Sequence, residues 1–292
     1  MGEKKLLLII LIILFNNSYA QQYISLDSLQ RNYTVKEYTL STKELYGVDK
    51  TIELYNVYVL PHKLVLFTVL PNLQGNDNWK KLDVQVSKED IYTKKQLENW
   101  IYKKEPKNKD FGYGKIIKKV GKYYYASVAN LIEIFNIENF PYPLISSYGT
   151  INIMEKKVSI KEMAMLYRDT YTKKNSKLIF PMDVRETDHI HYGDMNYLFR
   201  NYLSKEYKIG ENNVYQFWTF DGWWVMDGYN SERGIDRFVY VPEKGIVGGS
   251  YDFYFAFCPK QMLNNKIHLP IPDDKLWDNI MNEKVMIAEG LN

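Results

Sequence analysis

Two histidines stand one residue apart in Asp188-His-Ile-His-Tyr-Gly-Asp194, the only close pair among the four histidines of the chain. On an extended strand, residues i and i+2 point to the same side. His189 and His191 would then offer two imidazoles to one metal ion, and Asp188 or Asp194 would add an oxygen ligand. The second chemical candidate is Cys258, the single cysteine. A thiol becomes a nucleophile when a base or a cationic neighbourhood favours its thiolate. The surrounding Tyr254-Phe-Ala-Phe-Cys258-Pro supplies only Lys260 nearby, so Cys258 reads as a small buried hydrophobe.

The histidine pair resembles those of metal-dependent hydrolases over these few residues, which implies a hydrolytic metal site. Such sites use further histidines, and only His62 and His268 remain. Asp194 also has a competing use as the cap of a following helix. No metal and no other cofactor is therefore expected; His189, His191 and Asp194 stay as the ligand set of a hydrolase alternative. Gly245-Ile-Val-Gly-Gly249 lacks the lysine of a phosphate-binding loop and precedes a strand, which fits a turn and bulge better. Carboxylates are numerous, but a glycosidase pair is assembled in space and no spacing isolates one.

An aromatic segment, Phe217-Trp-Thr-Phe-Asp-Gly-Trp-Trp224, is the best binding candidate. Asp221-Gly222 is a preferred type I′ hairpin turn. A two-residue turn sets Phe220 opposite Trp223 and Trp218 opposite Val225. One face then carries Trp218, Phe220, Trp223 and Val225, and the other Phe217, Thr219, Trp224 and Met226. A soluble sheet usually commits one face to the core, so an aromatic face left over would bind a partner. Phe217, Thr219, Trp224 and Tyr229 are the expected contact residues, against the plainer alternative that the rings pack in the core. The stretch 102–122 holds eight lysines (Lys103, Lys104, Lys107, Lys109, Lys115, Lys118, Lys119 and Lys122) against two acids, interleaved with Phe111, Tyr113 and Tyr123. It suits either contact with an anionic surface or a solvated, lysine-blunted edge.

These residues are positioned by elements that read as an α+β chain of antiparallel hairpins. Thr51–Leu60 and Lys63–Leu70 form a hairpin about Pro61-His62, and a short strand follows at 81–86. Thr93-Lys-Lys-Gln96 is a capping box for a helix over 94–104, and Ser159-Ile-Lys-Glu162 caps a second. Hairpin strands at 115–119 and 123–128 flank Gly121, and 131–137 is a further strand. Asp194 is expected to cap a third helix that carries Met195, Leu198, Phe199 and Tyr202 and ends at Gly210. Residues 213–258 read as a four-stranded meander, and Pro272-Asp273 opens a fourth amphipathic helix with Leu276, Trp277, Ile280 and Met281. The span 21–47 reads as a weakly structured arm. The rest is one large domain, or two subdomains divided near 173–178.

The chain has 292 residues and a formal charge of +3, enough length for a core without staples. Its charge balance and export argue against nucleic acid as a partner. Lys4 and Lys5, the apolar Leu6–Phe15 and then Ser18-Tyr-Ala20 make a secretory signal peptide, residues 1–20. The apolar run is short of the roughly 20 residues that span a bilayer. No cysteine stands at the cleavage site, so no lipid anchor is expected there. Tyr, Lys, Asn and Ile are favoured by AT-rich codons, so the 26 tyrosines are not by themselves a carbohydrate surface. The expected product is a periplasmic or extracellular bacterial envelope protein: a non-enzymatic binding or interaction module, an immunity-type inhibitor being one form. Its expected partner is another envelope protein or a glycan; the alternative is an exported hydrolase acting on glycan or peptide. N-terminal sequencing of the native protein should find Gln21 first; Met1 retained on a cytoplasmic protein would remove the export reading.

Overall fold

The structure, a computed structural model, describes residues 22–75, 77–103, 109–112, 115–126, 129–140, 149–167, 200–220, 234–257 and 272–291. Several expectations lie outside these residues: the signal peptide, His189, His191, Asp194, Asp221-Gly222, Trp224, Tyr229, Cys258, Lys104, Lys107 and the boundary near 173–178. The described part is sheet-rich, with three sheets and few helices.

The central sheet has six strands. It contains β2 (Thr34–Ser41), β3 (Thr51–Leu60), β4 (Lys63–Leu70), β6 (Lys109–Gly112), β9 (Ala129–Glu138) and β10 (Thr150–Asn152). The order is β10-β9-β4-β3-β2, with β6 also pairing β9. The β3–β4 hairpin turns at Pro61-His62, as its sequence predicts. β4 reads Lys-Leu-Val-Leu-Phe-Thr-Val-Leu, and from Leu64 to Leu70 no residue is more than 1% exposed. Alternation sends its side chains to two different cores. Leu64, Leu66 and Leu70 pack with Phe217, Phe238 and Tyr240. Val65, Phe67 and Val69 pack with Ile24, Leu97, Ile101 and Ile116.

The first core is closed by a five-stranded antiparallel sheet in sequence order. It contains β11 (Arg200–Ile209), β12 (Asn212–Phe220), β13 (Arg237–Val241), β14 (Gly245–Ser250) and β15 (Met286–Ile287). The second is closed by a small sheet, order β1-β7-β8-β5, built from β1 (Ile24–Ser25), β5 (Trp79–Lys81), β7 (Ile116–Val120) and β8 (Lys122–Ala126). Helices α1 (Leu26–Asn32) and α3 (Lys94–Lys103) add Leu26, Leu29, Leu97 and Ile101 to it. The central sheet is therefore the middle of three layers.

Local signals place three of the helices. The α3 capping box forms, with Thr93 N–H donating to Gln96 Oε1 at 2.9 Å and Gln96 N–H to Thr93 Oγ1 at 3.3 Å. Ser159 and Glu162 cap α4 (Ile160–Tyr167) the same way, at 2.7 and 3.1 Å. Pro272 precedes α6 (Asp273–Met281), which buries Leu276 and Ile280.

Five expectations are corrected. Residues 24–46 are not a loose arm. They form β1, α1, β2 and α2 (Lys43–Tyr46), because Leu29, Leu40, Leu45 and Tyr46 supply buried anchors and β2 pairs with β3 from Thr34 to Ser41. The helix expected to run through Tyr202 gives way over 200–209 to β11, paired along β12; sheet burial overrides the helical spacing there. Trp218 lies between Tyr202 and Arg237, so the place assigned to Val225 is already filled. The C-terminal sheet has five strands, and its expected last strand stops at Ser250, before α5 (Asp252–Phe257). The short strand expected at 81–86 is β5, three residues ending at Lys81.

The two large sheets are joined by more than apolar contact. Asn56, fully buried on β3, donates from Nδ2 to Ile246 O at 2.9 Å and accepts from Ile246 N–H at 2.7 Å. Gly245, at φ 86°, leaves room for it, since a Cβ there would fall 2.6 Å from Asn56 Oδ1. Asn56→Ala should lower stability by about 2–4 kcal/mol in denaturant melts, because it leaves two buried backbone groups unpaired. The Glu162 carboxyl is held below its ordinary range by the Ser159 backbone and side chain. A lowered carboxyl stabilises above its unfolded value and loses that contribution as pH falls through the folded one. Acid titration of Glu162→Ala should therefore show a smaller loss of stability below about pH 4 than the parent.

Candidate functional site

Two groups of polar residues stand out among the described residues, and they differ in what they have left to offer. The first lies inside. Arg237 on β13 and Asp252 at the start of α5 are each 2% exposed and form a two-pronged ion pair, Nη2 to Oδ1 at 3.0 Å and Nη1 to Oδ2. Arg237 Nε also donates to Lys284 O at 3.0 Å. Tyr46 Oη donates to Asp252 Oδ1 at 2.9 Å and accepts from Tyr251 N–H at 2.7 Å. Tyr251 Oη meets Thr68 Oγ1 of β4 at 2.9 Å. Tyr46 stacks on Phe255, centroids 3.9 Å apart. Burial pushes the Asp252 carboxyl above its usual range while Arg237 pulls it back. The same burial disfavours the charged guanidinium, but Asp252 holds it above its ordinary value. Burial, with Asp252 beside it, keeps the Tyr46 phenol protonated. Every partner here is another part of the fold, so the cluster is a bolt between α2, β13, α5 and the central sheet.

The second group is an open groove of about 370 Å³, lined by Asp49, Lys50, Thr51, Glu53, Asp77, Asn78 and Trp79. It lies where the start of β3 meets β5. The turn before β3 carries Asp49 and Lys50, β3 contributes Thr51 and Glu53, and the segment entering β5 contributes Asp77, Asn78 and Trp79. Lys50 Nζ donates to Gly75 O at 2.5 Å, and Asn78 Nδ2 to Thr51 O at 3.0 Å, which tie the two walls together. Glu53 is the most constrained. Its Oε1 accepts from Trp79 Nε1 at 2.7 Å, its Oε2 accepts from Tyr55 Oη at 2.5 Å, and Lys118 Nζ sits 3.8 Å away. Lys118 also lies 4.0 Å from the Trp79 ring centroid. Burial, then the Glu53 carboxylate, pushes the Tyr55 phenol well above its ordinary range. Asp49 and Asp77 are exposed at the rim.

The residues singled out in the sequence are placed differently. Phe217 is fully buried and stacked on Phe238, centroids 5.0 Å apart. Thr219 Oγ1 donates to Ile235 O at 2.9 Å and accepts from Asn201 Nδ2 at 2.9 Å. Neither is presented to solvent. Of the eight lysines, Lys118 is engaged with Glu53 and Trp79, Lys119 lies over Tyr123 at 5.5 Å, and Lys122 is exposed. The groove is not legible in the sequence, because Glu53 and Trp79 are 26 residues apart, on strands of two different sheets, and meet only in the folded chain.

Among the described residues no group of three or more His, Cys, Asp or Glu side chains is arranged to hold a metal ion. No helix among them is long and apolar enough to cross a membrane. Breaking the inner bolt on one side should be costly: Asp252→Ala should destabilise by about 3–5 kcal/mol in thermal melts, since it strands a buried guanidinium. Arg237→Met combined with Asp252→Leu should recover most of that loss; a double variant as unstable as the single would show that the pair has a role beyond mutual neutralisation. Comparison with family models, curated proteins and solved structures found no match.

Proposed function

We propose that this is an exported cell-envelope protein acting as a non-enzymatic binding or interaction module, with the Asp49–Trp79 groove as its contact site. An immunity-type inhibitor is one form of such a module, and the partner is another envelope protein or a glycan. The observation that carries the reading is the state of Glu53. Both of its oxygens already accept hydrogen bonds, from Trp79 and Tyr55, and Lys118 stands beside it. A carboxylate so occupied is a fixed acceptor that shapes a surface; a general acid or base needs an oxygen turned to substrate. The groove is open and polar, with exposed Asp49 and Asp77 at its rim, in keeping with recognition of donor groups on a partner.

A hydrolase acting on glycan or peptide is the second reading, and the observation in its favour is that Asp49, Glu53 and Asp77 share one groove. Binding and turnover are separable on one preparation. Envelope proteins and soluble peptidoglycan fragments from producing cells are offered to the parent and to an Asp49→Asn, Asp77→Asn variant. The expected result is a stable complex with the parent, weakened about tenfold or more in the variant, the effect of losing one to two charge-assisted hydrogen bonds, and no product released. Release of product that vanishes in Asp77→Asn would establish the hydrolase. Binding of equal strength in parent and variant would take the groove out of the site.

A further inference from the structure

The small sheet carries charge of one sign. Its four strands read Ile-Ser, Trp-Lys-Lys, Ile-Ile-Lys-Lys-Val and Lys-Tyr-Tyr-Tyr-Ala. They carry Lys80, Lys81, Lys118, Lys119 and Lys122 and no acidic residue. Lys118 is spent on Glu53 and Trp79, but Lys80, Lys81, Lys119 and Lys122 are exposed. Register fixes how they are arranged. Lys80 lies opposite Tyr125, Lys119 opposite Tyr123, and Lys81 opposite Tyr124. Ile116, Ala126 and Trp79 face the second core, so by alternation Lys80, Lys119, Tyr123 and Tyr125 take the opposite face along with the buried Ile117. Val120 and Lys122, paired at the hairpin end, take the core-side face and are exposed there.

The β7–β8 hairpin ends this sheet in an apolar point. Val120 is 66% exposed, the highest value among the exposed large apolar side chains of the described residues. It stands beside Gly121 (φ 69°) with Lys119 and Lys122 on either side. Asp27, half-buried, accepts the Lys119 backbone N–H at 2.9 Å. Lysines around an apolar tip, backed by half-buried tyrosines, match the layering of a lipid surface. Phosphates attract the ammonium groups, tyrosines suit the headgroup depth, and the aliphatic tip reaches the acyl boundary. A soluble polyanion would satisfy the lysines but gain nothing from Val120.

We propose that the exposed end of the β7–β8 hairpin docks the protein, tip first, on an anionic lipid surface. The site is separate from the groove, so the proposal stands whether or not the groove binds a partner. The test uses the full mature chain in vesicle sedimentation. One set of vesicles is phosphatidylcholine alone; the other contains about a third phosphatidylglycerol. The parent should bind the anionic vesicles at least about tenfold more tightly, with affinity falling as salt is raised. Lys119→Gln and Lys122→Gln should each weaken binding about fivefold, the usual effect of one lysine near such a surface. Val120→Ser should weaken vesicle binding and leave binding to dextran sulfate unchanged. All three positions are exposed, so melting temperatures should match the parent. The Asp49→Asn, Asp77→Asn variant should bind vesicles as the parent does. Equal affinity for the two vesicle types would overturn the proposal. So would binding to dextran sulfate without binding to vesicles, which would make the patch a site for a soluble polyanion.

Discussion

The fold rests on β4 being buried on both of its faces. An antiparallel strand normally gives one face to water and can then be covered by a single partner. Here Leu64 to Leu70 reach two cores, and neither can be left open. Each cover comes from segments distant in the chain. The N-terminal β1–α1 unit, α3 and the β7–β8 hairpin close one side, and the β11–β15 sheet closes the other. Most apolar residues of the described part are committed to one or other of these two interfaces, so hydrophobic burial fixes the three-layer order before any polar contact is considered.

Polar groups then decide how the layers register. A purely apolar interface between two sheets tolerates sliding, whereas a buried hydrogen bond has one good position. Asn56 pairs with both backbone groups of Ile246, Tyr251 meets Thr68, and the Glu133 carboxylate accepts from Ile235 N–H at 3.1 Å. Each of these crosses from the central sheet to the C-terminal half. The Arg237–Asp252 pair with Tyr46 does the same at the sheet margin. Glu283, at φ 54°, ties three more pieces together: its carboxylate accepts from Ile160 N–H at the start of α4 and from Ser204 of β11, and its carbonyl accepts from Gln216 of β12 at 2.6 Å. Because these buried groups are consumed in joining layers, chemistry directed outward is left to the surface.

On the described surface, the two features with something to offer both sit on the small sheet. Its inner margin makes the groove, where Trp79 and Lys118 fasten Glu53. Its outer end makes the lysine and tyrosine hairpin. Lys118 links the two by turning inward and giving its charge to Glu53, while its neighbour Lys119 turns outward. The alternation of a single strand thus divides one basic run between a structural contact and an exposed patch, a division that a charge count along the sequence cannot reveal.

The sequence by itself determined the elements whose causes are local. The Pro61-His62 hairpin, the Gly121 turn, the capping boxes at Thr93 and Ser159 and the Pro272 helix start all follow from residues within a few positions of one another, and each stands in the structure. Tertiary structure decided what depends on distant partners. Residues 200–209, expected to continue the helix opened at Asp194, become a strand, because β12 offers them a paired edge. Phe217 and Thr219 read as contact residues on an aromatic face, but the packing of the C-terminal sheet on β4 enclosed them. The groove exists only where β5 of the small sheet comes against the start of β3 and sets Trp79 on Glu53. Such pairings depend on which surfaces meet, and surface contact is set by the summed burial of the whole chain, which no local window of sequence contains.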